Sequence, residues 1–492
     1  MHILNEDAIE YAANNLFTTE LGYSEIIWGP DIAPEGDRMQ ERAFNEVVLR
    51  GRLETAIGNL NQQLPLDARE DVLRKVLRVE FPDALSNNFA FHRLLTEGVD
   101  VTFRNPQGEI RTDKALLVDF AQPDRNEFVA IRQLTVIENQ KNRRVDTVIY
   151  VNGLPLVLLE FKNPADANAT LKNAWNQVQT YQKDIPSIFQ YNAFCIIGDG
   201  IHAKAGTISS EESRYMAWKS TDGRNLVKTG MPDQETLLRG MLHKKTLLEL
   251  IRHFIVFEET PKKTIKKLAA YHQYYAVNKA IRTSIAASSE VGDHRGGVVW
   301  HTQGSGKSLS MVFYAGKLVL APEMENPTLV VLTDRNDLDQ QLFGTFSACR
   351  SLLRQTPKQA ENREHLRELL AVASGGIVFT TIQKFLETEE YENEAGEIKR
   401  ISVKYPTLST RRNIVVIADE AHRSQYDFID GFARNMRDAL PNATFLGFTG
   451  TPVEKSDANT RAVFGEYVDI YDIKRAVDDG ATVPIYYESR LA

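Results

Sequence analysis

The segment from residue 302 to residue 308 has the residue types and spacing needed to bind a nucleoside triphosphate. It reads Thr-Gln-Gly-Ser-Gly-Lys-Ser and lies between an apolar run that predicts a buried strand and a run with helical spacing. The glycines let backbone N–H groups approach the phosphates, and the N-terminus of the following helix favours negative charge. We expect Lys307 to reach the β- and γ-phosphates and Ser308 to bind Mg²⁺. The candidate nucleotide-binding residues of this segment are Thr302, Gly304, Ser305, Gly306, Lys307 and Ser308.

Another apolar run, residues 414–418, ends in two carboxylates, Asp419 and Glu420. A buried strand that ends in this way directs both side chains towards the nucleotide. Asp419 can then hold Mg²⁺, and Glu420 can orient or deprotonate the attacking water. One departure from the general phosphate-loop pattern is His301, which stands where the pattern has its first glycine.

Three further apolar runs, 328–332, 377–379 and 445–448, are each followed by polar residues. Repetition of strand, polar loop and helical stretch predicts a parallel α/β sheet whose loops gather at the carboxyl ends of the strands. The polar residues that these loops supply are Thr333, Arg335, Thr380, Thr381, Thr449, Gly450 and Thr451.

The front half of the chain carries residues suited to a different chemistry. A predicted strand contains Asp146, and a second predicted strand ends in Glu160 and Lys162. The two carboxylates could bind a divalent metal that activates water, and the lysine could stabilise the charge that develops on a phosphodiester. Downstream, Gln177 and Tyr181 are one helical turn apart and share a face.

The connection between these two strands limits this interpretation. Asn152-Gly153 is a strong hairpin signal, but a two-residue turn would place Asp146 opposite Leu159 and leave Glu160 on the other face. The sequence therefore predicts a three-residue turn in which Gly153 is left-handed and forms a bulge. A plain two-residue turn would count against a nuclease.

The order of these motifs resembles two known families. Residues 302–451 resemble the first RecA-like motor domain of superfamily 2 DNA translocases, and the Asp146, Glu160, Lys162 set resembles the RecB-like PD-(D/E)xK nucleases. The first resemblance implies that Gln273 reads adenine and that residues 449–451 couple nucleotide state to domain motion. The loops at 333–335 and 380–381 would then touch the DNA backbone.

The nuclease resemblance implies that Gln177 and Tyr181 position DNA. It also implies a further acidic group from an N-terminal helix, for which Glu41 and Glu46 are candidates.

Taken together, the chain resembles the restriction (motor) subunit of type I restriction-modification enzymes. This resemblance implies an endonuclease domain (1–258, a mixed sheet flanked by helices), a RecA-like parallel α/β motor domain (259–475) and the start of a linker to a second RecA-like domain (476–492). It implies ATP and Mg²⁺ as cofactors and double-stranded DNA as substrate, cut non-specifically after translocation. Methyltransferase and specificity subunits would be partners. We expect the chain to bind ATP without translocating alone, because a second motor domain would need about 150 more residues.

Two other functions fit the same residues. One is a repair or processing helicase–nuclease that has no methyltransferase partner. The other is a non-catalytic assembly module in which the nuclease and motor residues serve only folding and docking.

Composition sets broad limits. The 492 residues carry a net charge of −8, which argues against indiscriminate DNA binding by the whole surface. DNA contact would then use local basic segments, 262–267 and 411–412, although each could equally be a solvated face. The two cysteines cannot form a disulfide framework, and without a membrane-length apolar run or a signal peptide the sequence predicts a cytoplasmic protein. Residues 387–404 read as an exposed insertion.

Overall fold

The computed structural model describes residues 6–34, 36–38, 41–163, 170–333, 336–385, 387–392, 398–403, 406–421, 432–451 and 458–483. The chain divides into two compact units. The first comprises Met1–Ile255 and Ile265–Tyr271, and the second comprises Val256–Thr264 and His272–Ala492. Each is described by itself. In the described residues, no helix is both long enough and apolar enough to cross a membrane.

The first unit is built around a mixed six-stranded sheet with the order β1-β4-β5-β6-β7-β8. The pairs β1–β4 and β6–β7 are parallel and the others are antiparallel. Every residue of β6 is buried, which explains its continuous apolar sequence. The elements are α1 (Glu6–Thr19), β1 (Glu25–Trp28), α2 (Arg50–Leu60), α3 (Leu66–Leu77), α4 (Ala84–Glu97), β2 (Val99–Arg104), β3 (Ile110–Ala115), β4 (Phe128–Glu138), β5 (Lys141–Val151), β6 (Leu154–Phe161), α5 (Leu171–Asp184), β7 (Phe194–Gly198), β8 (Ala203–Gly206), α6 (Gln234–Leu242) and α7 (Lys244–His253).

Two short strands, β9 (Ile255–Glu259) and β10 (Thr264–Leu268), carry the chain from the first unit to the second. The basic segment 262–267 therefore is not a helix face, and Lys266 within it is buried. The other basic segment is also partly structural, since Arg411 donates to the hydroxyl of Thr328 at 2.8 Å. These contacts reduce what either segment could offer to DNA.

The second unit contains a seven-stranded sheet with the order β13-β14-β12-β17-β18-β11-β19, in which every pair is parallel. This confirms the predicted fold class of a mixed-sheet domain followed by a RecA-like parallel α/β domain. The elements are α8 (Tyr271–Ser288), β11 (Arg295–His301), α9 (Lys307–Leu318), β12 (Thr328–Thr333), α10 (Asn336–Ala348), α11 (Arg350–Leu353), β13 (Lys358–Gln359), α12 (Arg363–Leu370), β14 (Ile377–Thr381), β15 (Glu387–Glu392), β16 (Ile398–Val403), β17 (Ile414–Ala418), α13 (Phe432–Ala439), β18 (Thr444–Thr449), α14 (Ala458–Phe464), β19 (Tyr467–Tyr471) and α15 (Ile473–Asp478).

Between β14 and β17, at the position of the predicted insertion, β15 and β16 pair antiparallel as a separate two-stranded sheet. Both cysteines, Cys195 and Cys349, are buried.

The turn between β5 and β6 differs from the prediction. Val151 pairs with Leu154, so the connection is a two-residue turn, and Asn152 and Gly153 both have positive φ angles (52° and 79°). This is the backbone that Asn-Gly favours in tight hairpins, because both residues tolerate it. The expected three-residue turn is therefore wrong.

The additional residue that the metal site requires lies inside β6 instead. Tyr150 pairs with Pro155 while Ile149 pairs with Val157, so Leu156 is the extra residue of a β-bulge. Proline has no N–H to donate to a neighbouring strand, so a central strand can contain a proline at a bulge. After the bulge Thr147 pairs with Leu159, a register that sets Asp146 opposite Glu160 on one face.

Candidate active sites

The first candidate site lies where β5 and β6 run side by side. The N–H of Phe161 donates to Asp146 Oδ2 at 2.8 Å. Glu160 is buried, and Lys162 Nζ lies 2.6 Å from Glu160 Oε1 and 3.0 Å from the carbonyl oxygen of Phe161. The structure therefore brings together all three side chains that the sequence singled out here.

The surroundings of Glu160 favour a bound cation. Burial, and then the nearby charge of Asp146, raise the pKa of Glu160 to about 8, although Lys162 and Tyr181 act in the opposite direction. A positive charge between the two carboxylates would relieve this repulsion.

A positive charge is already present here. The ammonium of Lys162 contacts a carboxylate oxygen of Glu160 and the backbone carbonyl oxygen of Phe161. Across the described ranges, His, Cys, Asp and Glu side chains nowhere form a three-member group that could hold a metal. Asp146 and Glu160 nevertheless lie opposite each other and offer carboxylate oxygens, the ligand type that a divalent ion prefers.

Tyr181 and Gln177, both on α5, lie on the face of the helix that meets this site. The hydroxyl of Tyr181 is 3.0 Å from Glu160 Oε2 and 2.8 Å from the carbonyl oxygen of Arg144, and it can donate to either. Gln177 forms a side-chain hydrogen bond with Tyr181. Tyr181 therefore orients Glu160. The sequence predicted instead that Tyr181 positions DNA.

One residue that sequence reasoning missed is Glu10 on α1, which is 1% exposed. Gln133 Nε2 donates to Glu10 Oε2 at 2.6 Å and lies 3.5 Å from Asp146 Oδ1, and Arg132 Nε lies 2.9 Å from Glu10 Oε1. Gln133 has a left-handed backbone with φ 54°, which is rare for a residue other than glycine. The available signal was a glutamate on the apolar side of an amphipathic helix, one turn before Ala13 and Asn14.

The two glutamates proposed from the sequence are engaged differently. Glu41 pairs with Arg52 at 2.8 Å, and Glu46 accepts from the N–H of Ala43 at 2.8 Å. Both precede α2 rather than lying on a helix, so neither is the expected helical acid.

The second candidate site is the phosphate-binding loop between β11 and α9. Gly304 and Gly306 both have φ 85°, and α9 begins at Lys307 with Ser308 in its first turn. Ser305 Oγ donates to the carbonyl oxygen of Thr302 at 2.6 Å, which closes the loop on itself.

Gln273 on α8 contacts this loop. Its Nε2 donates to the carbonyl oxygen of Gly306 at 3.0 Å, and a Cβ at position 306 would lie 2.8 Å from that nitrogen. The adjacent His272 has a ring nitrogen 3.1 Å from the carbonyl oxygen of Ser305. Gln273 is thus beside the loop, where its predicted role as the adenine-reading residue requires it.

Carboxylate and loop residues converge at the ends of β11, β17 and β18. Lys307 Nζ lies 3.9 Å from Glu420 Oε1, and the N–H of Gly450 donates to Glu420 Oε2 at 3.4 Å. Glu420 has a left-handed backbone (φ 47°), and its N–H donates to Asp419 Oδ1 at 2.9 Å. Thr449 Oγ1 donates to the carbonyl oxygen of Thr451 at 3.2 Å.

His301, the departure from the general loop pattern, is buried in a charged cluster. Its Nε2 lies 3.0 Å from Asp469 Oδ2, and Lys279 Nζ lies 2.6 Å from Asp469 Oδ1. Burial raises the pKa of Asp469, but His301 and Lys279 together lower it by a larger amount. The net pKa of Asp469 is therefore below its ordinary value. The histidine therefore ties the start of the loop to β19.

The remaining loops, which were predicted to contact the DNA backbone, are less exposed than expected. Thr333, Thr380 and Thr381 lie at adjacent strand ends, since Thr333 pairs with Thr381, but all three are buried. Arg335 lies outside the described residues, so its predicted contact with DNA has no structural description.

Comparison with known proteins finds relatives for both units. The family described as type I restriction enzyme R protein N terminus (HSDR_N) matches residues 3–214, and the family described as SWI2/SNF2 ATPase matches residues 272–492. The type I restriction enzyme HindI endonuclease subunit of Haemophilus influenzae is 45% identical over 99% of this chain and 46% of its own length.

A Methanocaldococcus jannaschii protein, provisionally named type I restriction enzyme MjaIXP endonuclease subunit, is 36% identical over 99% of this chain and 46% of its own length. The chain thus spans about half the length of these curated relatives. Among solved structures, a fragment provisionally assigned as an HsdR subunit of a type I restriction enzyme from Vibrio vulnificus YJ016 matches with a TM-score of 0.28. It is 15% identical, and the match covers 70% of this chain and 52% of that one.

Proposed function

Since the chain belongs to the family of type I restriction enzyme R proteins, we propose that it cuts DNA in its first unit and binds and hydrolyses ATP in its second. The observation that carries the nuclease assignment is the β-bulge at Leu156, which sets Asp146 opposite Glu160. Without that residue the two carboxylates would face opposite sides of the sheet.

In the proposed cutting reaction, Asp146 and Glu160 hold Mg²⁺, which when bound would activate water and stabilise charge on the phosphodiester. Lys162, 2.6 Å from Glu160, would also stabilise the negative charge that develops on the phosphate. Tyr181 keeps Glu160 oriented through its second oxygen. Glu10 is not a member of this pair, but Gln133 links it to Asp146 by hydrogen bonds.

In the proposed motor site, Lys307 binds the terminal phosphates of ATP, with Ser308 and Asp419 as the residues that would hold its Mg²⁺. Because Glu420 lies beside both Lys307 and the Gly450 N–H, it is placed to orient or deprotonate the attacking water. The contact of Gly450 with Glu420 supports a role for residues 449–451 in coupling nucleotide state to motion.

We propose further assignments that rest on the family. The endonuclease domain would extend over 1–258 and the first RecA-like domain over 259–475. The substrate would be double-stranded DNA, the partners would be methyltransferase and specificity subunits, and the protein would act in the cytoplasm. Co-purification with a methyltransferase separates this function from a helicase–nuclease that works without one.

The test uses two substitutions, one in each site, in the subunit reconstituted with its methyltransferase on circular unmethylated DNA. Glu160→Gln, which keeps the shape of the side chain, should abolish cutting while ATP hydrolysis continues. Lys307→Ala should abolish ATP hydrolysis. The matched control is Glu109→Gln in the exposed end of the β2–β3 pair, which should change neither reaction. Cutting retained by Glu160→Gln would refute the nuclease assignment.

A further inference from the structure

Two exposed aromatic rings flank an arginine next to the candidate nuclease site. The guanidinium carbon of Arg132 lies 5.8 Å from the ring centre of Tyr11 and 5.5 Å from that of Trp28. Tyr11 is 64% exposed and Trp28 is 43% exposed. Single exposed apolar side chains are common on protein surfaces. What distinguishes this group is that two exposed aromatic rings lie against the same guanidinium.

Three elements hold this group in place. Tyr11 follows Glu10 on α1, and Trp28 ends β1, whose parallel register pairs it directly with Arg132 on β4. After Trp28 the chain passes so close to β4 that a Cβ on Gly29 would lie 2.6 Å from the carbonyl oxygen of Gln133. The rings are therefore fixed by backbone structure and not by a mobile loop.

The aromatic group is joined to the cutting site by a chain of three hydrogen bonds. Arg132 Nε lies 2.9 Å from Glu10 Oε1, and Gln133 bridges Glu10 Oε2 and Asp146 Oδ1 at 2.6 and 3.5 Å. A ligand on the rings would consequently contact a residue, Arg132, that is connected to Asp146 through Glu10 and Gln133.

The chemistry of the group matches a nucleic-acid strand whose bases are unpaired. Aromatic faces stack on bases of any sequence, and a guanidinium beside them binds the phosphate. A guanidinium has five N–H donors, and the contact with Glu10 uses the one on Nε. Bases inside a duplex are covered by their neighbours, so stacking on Tyr11 or Trp28 requires an unpaired nucleotide.

We propose that Tyr11, Arg132 and Trp28 form a subsite that binds an unpaired stretch of the DNA strand being cut. Its bases stack on the rings and a phosphate contacts Arg132. This inference rests on the proposed nuclease function and extends it, because it assigns how the strand is presented to Asp146 and Glu160.

The test follows binding of the 492-residue chain to a single-stranded oligonucleotide that carries photoreactive 5-iododeoxyuridine, in EDTA so that no hydrolysis occurs. Trp28 should crosslink to the oligonucleotide. Trp28→Ala and Tyr11→Ala should each weaken single-strand binding by roughly tenfold. Trp28→Phe should restore most of the affinity because it keeps an aromatic face. The matched control is Phe81→Ala, an aromatic residue of the same unit that is equally exposed at 43%.

Each outcome bears on a separate claim. No crosslink at Trp28, or unchanged affinity in Trp28→Ala and Tyr11→Ala, would overturn the subsite and leave the rings as a surface for a protein partner. Equal losses in Trp28→Ala and Phe81→Ala would also overturn it. A crosslink at Trp28 together with cutting that survives Glu160→Gln would support the subsite while refuting the nuclease site.

Discussion

The buried lysine at position 266 should make the stability of the first unit depend on pH. Lys266 is 1% exposed, and its Nζ donates to Asn88 Oδ1 at 2.8 Å and to the carbonyl oxygen of Asn192 at 2.7 Å. Burial lowers the pKa of this lysine from its ordinary value of 10.5 to about 7. The charged form is disfavoured because burial removes the ammonium from water.

The sign of the effect follows from proton binding. In the unfolded chain Lys266 keeps its ordinary pKa, so between about pH 7 and pH 10 the unfolded state binds more protons than the folded state. The free energy of unfolding therefore rises with pH across this window. The slope approaches about 1.4 kcal/mol per pH unit, and the gain between pH 7 and pH 9 is about 2 kcal/mol.

The perturbation is Lys266→Met, which keeps an unbranched side chain and removes the titrating group. Urea unfolding followed by tryptophan fluorescence gives the free energy of unfolding of both proteins at pH 7 and at pH 9. The free energy of unfolding of the wild type minus that of the variant should increase by about 2 kcal/mol from pH 7 to pH 9. Loss of the two hydrogen bonds adds an offset that is constant with pH, so it does not affect this comparison. Lys263→Met, at an exposed position three residues earlier, should follow the wild type.

Parallel stability profiles for wild type and Lys266→Met would refute the reasoning. They would mean that the side-chain oxygen of Asn88 and the backbone carbonyl oxygen of Asn192 hold the ammonium strongly enough to keep its pKa above the whole window. A steeper profile in Lys263→Met would equally contradict it, because that lysine is in solvent.

Two further substitutions test the loop and the sheet edge. Gln273→Ala removes the hydrogen bond to the Gly306 carbonyl, and we expect the KM for ATP to rise about tenfold, measured by steady-state hydrolysis; an unchanged KM would contradict the assigned role. Gly29→Ala places a Cβ 2.6 Å from the Gln133 carbonyl oxygen and should destabilise the first unit by about 1–3 kcal/mol in thermal unfolding. At Gly51 in α2 an added Cβ would meet no atom within 4 Å apart from its own stretch of helix backbone, so Gly51→Ala should instead be neutral or stabilising. Equal melting temperatures for these two glycine variants would rule out the close approach at Gly29.

The paired strands show how far the sequence could be taken. Asp146, Glu160 and Lys162 could be found from residue types because a metal-assisted cut needs carboxylates and a cation. The requirement for one additional residue between the strands could also be found from the two-residue side-chain period. Its position could not, because Asn152-Gly153 drew attention to the turn while Pro155, the residue that cannot donate within a central strand, lay just beyond it.

Contacts between distant residues were harder to predict than motifs. Glu10 and Asp146 are far apart in sequence, and only the fold brings them to the two sides of Gln133. Likewise, His301 replaces the first glycine of the general phosphate-loop pattern, and the sequence alone indicated no role for it. In the structure it pairs with Asp469 on the last strand of the sheet. A local pattern has no means of indicating a partner that the sheet order supplies.

What the two sites share is irregular backbone at the residues that carry the chemistry. Gln133 and Glu420 have left-handed φ angles of 54° and 47°, and Leu156 is the additional residue of a bulge. A left-handed φ at a residue other than glycine costs about 1–3 kcal/mol and persists only where the surrounding structure enforces it. Periodicity describes the regular strands that hold these positions, so it predicts the scaffold well. It cannot predict the irregular positions, because there the direction of a side chain does not follow the regular alternation along the strand. Both candidate sites lie at such positions.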